Sequence, residues 1–186
     1  MRLALCAGLS ATLILAAACA TEPAPPPSGA APSANVPAPP PPVTVSIVRG
    51  DGGEIGTARL TPAPKGVLIE ITIRAGGLTP GWHGVHLHKT GLCEGPGFES
   101  ASSHIGQGGL AHGLLHPQGT EAGDLPNIHA LPDGSAHAEV FNTFLMLSDL
   151  QDADGSALVI HANRDDHITQ PTGGSGARVA CGALPR

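Results

Sequence analysis

The chain reads as an all-β sandwich or barrel behind an export leader and a proline-rich spacer. Two observations predict the fold: short alternating apolar runs separated by Gly, Pro and Asp clusters, and no convincing helical period. With Trp82, Phe98, Phe141, Phe144 and no tyrosine, the core has to be built from Val, Leu and Ile.

The first element is a leader over residues 1–18. After Met1-Arg2 the chain is apolar from Leu3 to Ala18, interrupted by Ser10 and Thr12, which is a signal-peptide pattern too short to span a membrane stably. Leu15-Ala16-Ala17-Ala18-Cys19 resembles a bacterial lipobox, so Cys19 is expected to carry a lipid anchor. Ala18-Cys19-Ala20 also suits an ordinary signal peptidase. Residues 19–42, rich in Pro, Ala and Ser, have no apolar period and too little to bury, and read as a disordered tether.

A folded domain is expected over residues 43–186. Val43–Val48 and Val67–Ile73 alternate as half-buried strands do, and Phe141–Leu147 and Leu158–His161 are further apolar runs. The net charge of -6 argues against a nucleic-acid partner, because phosphate binding needs a basic patch. Scarce aromatics argue against base stacking. No phosphate-cradling loop or nucleophile elbow is present.

The chemistry lies in the histidines. His86 and His88, in Gly81-Trp82-His83-Gly84-Val85-His86-Leu87-His88, are two residues apart and so share one face of a strand. His104, His112, Asp124 and His161 follow in glycine-rich or acidic settings. Imidazole suits copper and zinc, and carboxylate can complete a zinc site.

Several blocks then occur in a telling order. They are His83 to His88, Ser100-Ala101-Ser102-Ser103-His104, Ala111-His112-Gly113, Gly123-Asp124-Leu125-Pro126-Asn127, Leu158-Val159-Ile160-His161-Ala162 with Asp165-Asp166, and Gly176-Ala177-Arg178-Val179-Ala180-Cys181-Gly182. Together they resemble the signature blocks of copper/zinc superoxide dismutases, from Val43 to the C-terminus.

The resemblance implies an eight-stranded antiparallel Greek-key barrel with long metal-binding and electrostatic loops, acting on superoxide. It implies copper held by His86, His88, His104 and His161, with His104 shared with zinc and acting as proton relay. It implies zinc held by His104, His112 and Asp124. It further implies a Cys93–Cys181 disulfide, a hydrogen-bonded structural His83, and Asp165 joining a copper ligand to a zinc ligand. Arg178 is expected to guide the anion, with Lys89 and Arg164 adding local positive charge. Asp166 reads as an ordinary loop acid, and His129, His137 and His167 as surface residues.

One position departs from the pattern. Where a further zinc histidine is expected, three residues before Asp124, the chain has Glu121. Glu121 as an oxygen ligand, His116 reaching in from the same loop, and a weak or empty zinc site are the three alternatives. A catalytically silent copper- or zinc-binding protein of the same fold is the competing function. Monomer and homodimer both remain open, and the expected location is the periplasm, at the membrane if Cys19 is lipidated.

Overall fold

The computed structural model describes residues 39–186; the expected leader, Cys19 and most of the spacer lie outside them. Nine strands form: β1 (Val43–Arg49), β2 (Glu54–Ala63), β3 (Gly66–Ile73), β4 (Gly81–His83), β5 (Val85–His88), β6 (Ile128–Ala130), β7 (Ala136–Asn142), β8 (Ser156–His161) and β9 (Arg178–Leu184). Seven of them pair antiparallel in the order β5-β8-β9-β1-β2-β3-β7, and β4 pairs with β6. Among the described residues no helix is long and apolar enough to cross a membrane.

The expected eight strands become nine because one extended run, Gly81–His88, changes partners at Gly84. Its first part pairs with β6 and its second with β8. Since β6 leads into β7 through the Leu131–Ser135 turn, this change of partner links the two edges of the large sheet and curls it into a barrel. Gly84 is required at the corner: a Cβ there would lie 2.9 Å from Ser175 Cβ and 3.2 Å from Asp165 Cβ.

Strand alternation builds the core. On β3, Val67, Ile69, Ile71 and Ile73 are buried while Thr72 faces solvent, and Val45 and Ile47 do the same on β1. Each such side chain contributes about 1.5–3 kcal/mol through burial. β8 is buried on both faces. Leu158 and Ile160 join the main core, while Ala157 and Val159 pack with Phe98, Ala101 and Cys181 in a smaller cluster.

The apolar run Phe141–Leu147 divides between a strand and a turn. β7 ends at Asn142, whose Oδ1 accepts the backbone N–H groups of Phe144 (2.9 Å) and Leu145 (3.0 Å). That local bonding competes with the sheet ladder and turns the chain into the one-turn helix α1 (Leu147–Leu150).

Two long segments carry the rest, residues 89–127 after β5 and 162–177 after β8. The first is fastened to β5 along its free edge: Leu87 N–H donates to Gly123 O (2.8 Å), Ile105 N–H to Leu87 O (2.9 Å) and Lys89 N–H to Ser103 O (2.9 Å). It is also tied to β9 by the Cys93–Cys181 disulfide, with Cα atoms 5.6 Å apart.

Candidate metal centre

β5 supplies the first two donors. Val85 and Leu87 point into the main core, so His86 and His88 share the opposite face, as their spacing requires. His161, at the end of β8, and His104, bridged to His88 from the long loop, complete a buried group of four histidines.

Hydrogen bonds fix one nitrogen of each ring. His86 Nε2 faces Asp165 Oδ2 (2.7 Å), His88 Nδ1 faces Ser102 O (2.9 Å), His104 Nδ1 faces Glu121 Oε2 (2.8 Å) and His161 Nδ1 faces Gly176 O (3.0 Å). Each of these partners only accepts, so the facing nitrogen carries the proton and the other ring nitrogen keeps its lone pair. Those other nitrogens are His86 Nδ1, His88 Nε2, His104 Nε2 and His161 Nε2, all buried and without a hydrogen-bond partner. One donor atom from each of the four residues falls within 4.8 Å of all the others. Four converging lone pairs on neutral imidazoles suit copper. Burial, reinforced by neighbouring histidines, holds His86 down to about 3, His88 to about 2 and His161 to about 4, so these rings need lose no proton to ligate near neutrality.

A second donor group adjoins the first through His104. His112 Nδ1 lies 2.7 Å from Asp124 Oδ1 and 3.7 Å from Glu121 Oε2, while His104 Nδ1 lies 3.5 Å from Asp124 Oδ1. Asp124 divides its roles. Oδ2 accepts from Gly113 N (2.7 Å), Thr120 Oγ1 (2.7 Å) and Glu121 N (3.0 Å), which leaves Oδ1 facing the two imidazoles. Burial opposes its charge, but hydrogen bonds with His104 and His112, joined by those from Gly113 N and Thr120 Oγ1, prevail and hold the Asp124 carboxyl well below its ordinary range. For His112 burial likewise works against the charged form, yet hydrogen bonds to Asp124 and Asp165 push it up to about 10. His116 does not converge here; its Nδ1 accepts from Gln118 N (3.1 Å) within its own turn.

Asp165 joins the groups, with Oδ2 2.7 Å from His86 Nε2 and 3.1 Å from His112 Nε2. Asn127 grips its backbone from both sides, at 2.8 Å each way. His83 is not a donor, since its two nitrogens face His161 O (2.7 Å) and Thr79 O (2.8 Å).

A cavity of about 310 Å³ opens onto His88, His104 and His161 and is lined at its rim by Thr172, Gln107 and Arg178. Arg178 donates to Phe98 O and Ser102 O, each at 2.7 Å. Phe98 and Ser102 are both at positive φ, 54° and 66°, an uncommon conformation for residues other than glycine. Ser102 O therefore holds the guanidinium and the His88 ring together.

Two expectations are corrected. His167 is half-buried rather than on the surface: its Nε2 accepts from Asn127 Nδ2 (2.9 Å) and its backbone N–H donates to Asp165 Oδ1 (2.6 Å). Arg164 does not line the cavity; its guanidinium sits 5.7 Å above the Trp82 ring. His137 is exposed as expected, and His129 is exposed and packs edge-on against Trp82. Asp166 caps its own turn, accepting from the backbone N–H groups of Ile168 and Thr169.

The family model described as "Copper/zinc superoxide dismutase (SODC)" matches residues 54–184. The chain belongs to the copper/zinc superoxide dismutase family. It is similar to "Superoxide dismutase [Cu-Zn]" of Caulobacter vibrioides, 47% identical over 148 residues that cover 76% of this chain and 84% of that one. "Superoxide dismutase [Cu-Zn] 2" of Aquifex aeolicus is 39% identical, covering 74% and 83%. Among solved structures, a double mutant of a SOD-like protein from Bacillus subtilis superposes with a TM-score of 0.72 at 37% identity, covering 77% of this chain and 97% of that one. The Cu/Zn superoxide dismutase from Brucella abortus gives 0.64 at 31% identity, covering 77% and 99%. The copper/zinc family implies both metals, and the two donor groups fit them.

Proposed function

We propose that this chain is an exported enzyme that dismutates superoxide to oxygen and hydrogen peroxide. The observation that carries the reading is the set of four buried, lone-pair-bearing imidazole nitrogens open to a cavity with Arg178 on its rim. His86, His88, His104 and His161 would hold copper, and His104, His112 and Asp124 would hold zinc. Copper held there would supply one-electron chemistry, by which one superoxide is oxidised to oxygen and a second, with two protons, is reduced to hydrogen peroxide.

The protein's own contribution is binding, orientation and protons. Arg178 attracts the anion and donates hydrogen bonds to it, in a chain whose net charge of -6 gives no overall attraction. Lys89 adds positive charge close by, its Nζ 3.4 Å from the carbonyl of Gln107 on the cavity wall. His104 stands between the donor groups, Nδ1 toward the carboxylates and Nε2 toward the other histidines, and is the ring placed to hold and release a proton beside the cavity. Asp165 orients His86 and His112, and His83 braces His161 through its carbonyl.

A silent metal-binding role is less favoured, because it has no use for an open cavity guarded by an arginine. The Cys93–Cys181 bridge supports an oxidising compartment, and with the leader of residues 1–18 it supports the periplasm, with Cys19 as lipid anchor. The reading is tested by stopped-flow decay of superoxide with the metal-loaded full chain, alongside Arg178→Ala. Expected are fast catalysed decay, a lower low-salt rate in the variant and a weaker dependence of that rate on salt. An unchanged variant rate removes Arg178 from its role, and uncatalysed decay overturns the enzyme.

A further inference from the structure

The second donor group contains a carboxylate where the family pattern has an imidazole. We propose that Glu121 is the fourth zinc ligand, closing a site of two imidazoles and two carboxylates; this rests on the copper/zinc reading above.

The geometry sets Glu121 Oε2 against both imidazoles that Asp124 Oδ1 faces. Zinc bonds of about 2.0–2.2 Å place donor atoms about 3.3–3.6 Å apart along a tetrahedron's edges. The four nitrogen–oxygen separations, His112 Nδ1–Asp124 Oδ1, His104 Nδ1–Glu121 Oε2, His104 Nδ1–Asp124 Oδ1 and His112 Nδ1–Glu121 Oε2, are 2.7, 2.8, 3.5 and 3.7 Å, running from below that range to just above it. Burial makes a second argument. The Glu121 side chain is 3% exposed, and among the described residues its ion-pair partners are His104 and His112 alone, with no Lys or Arg. Asp124 is buried beside it. Protonated His112 offsets one of these two charges in the metal-free chain, and a divalent metal bound between the carboxylates would offset both.

The position is also rigid. Glu121 N–H donates to Asp124 Oδ2, so the two acids are set relative to each other by backbone as well as side chain. Glu121 adds a negative charge to the ligand set where the family pattern has a neutral imidazole. The second site thus becomes distinct in donor type from the all-nitrogen copper site, in the direction that separates a zinc ligand set from a copper one.

The test uses the full chain with its copper site already filled, so that the second site is read alone. Zinc affinity is measured by competition with a chromophoric chelator, and the visible spectrum by adding cobalt(II) in place of zinc. Glu121→Gln is expected to weaken zinc binding more than about tenfold, at or beyond the scale of losing an outer partner. Glu121→His is expected to bind zinc tightly while shifting the cobalt bands, because nitrogen replaces oxygen, and His116→Ala to change neither. Zinc affinity of Glu121→Gln within about twofold of wild type, a Glu121→His cobalt spectrum that superimposes on wild type, or zinc loss in His116→Ala would each overturn the assignment. A wild-type chain that binds neither copper nor zinc would overturn the underlying reading and the proposal with it.

Discussion

Asp165 touches both donor groups through one carboxylate, which makes it the residue whose neutral replacement separates orientation from ligation. Asp165→Asn keeps the volume but loses the charge that faces His86 and His112 and puts an amide NH2 in place of one carboxylate oxygen, and its expected cost is about 10- to 100-fold in affinity for both metals, read by chelator competition. Equal affinity in the variant would leave Asp165 a bystander. His112 makes a second prediction. Raised to about 10 by its two carboxylates despite its burial, it is protonated in the metal-free chain near neutral pH. Zinc uptake must therefore release protons, detectable with an indicator dye in weak buffer. Most donors were legible from the chain because side-chain type carries the signal, as in His86-x-His88. The acceptors that orient them were not: Ser102 O, Gly176 O and Phe98 O are backbone atoms, and no residue type announces where a carbonyl points.

At the scale of elements, the site depends on a strand corner and a staple. Gly84→Ala would press a Cβ against Ser175 and Asp165, and overpacking of this kind costs about 1–3 kcal/mol. Urea unfolding of the metal-free protein measures it, with reduced copper affinity expected in step because the contact displaces Asp165. Cys181→Ser opens a link spanning 88 residues, whose expected cost is about 4–5 kcal/mol in the chain-entropy model, seen as a lower denaturation midpoint. The alternating strands were readable because period-two burial is written in side chains, as Val67, Ile69 and Ile71 illustrate. The break after β7 was not, because one Asn142 amide outweighs an apolar run through backbone bonds of its own. His167 was misread as surface for a related reason: its burial follows from Asn127, forty residues away in the chain.

For the whole molecule, the shifted histidines set a pH dependence whose sign changes once. Below pH 6.5 an unfolded chain protonates His86, His88 and His161 while the folded chain resists until about 3, 2 and 4, so the unfolded state binds more protons. Each such ring lowers stability by about 1.4 kcal/mol per pH unit over that range. His112 acts oppositely. Its contribution is complete below pH 6.5 and is lost as pH rises toward about 10. The metal-free chain is thus expected to be most stable near pH 6.5, and a thermal midpoint that rises steadily from pH 6.5 to 4 would contradict the burial of the three rings.

All of this converges on one act, electron transfer to and from superoxide at the four-histidine site. The direct measurement is superoxide disappearance catalysed by the full chain, with copper and zinc counted in the same sample through a copper titration. The expected rate is absent in the metal-free protein and rises in proportion to copper until one copper is bound per chain. A chain holding one copper in the four-histidine site and leaving superoxide untouched would contradict it.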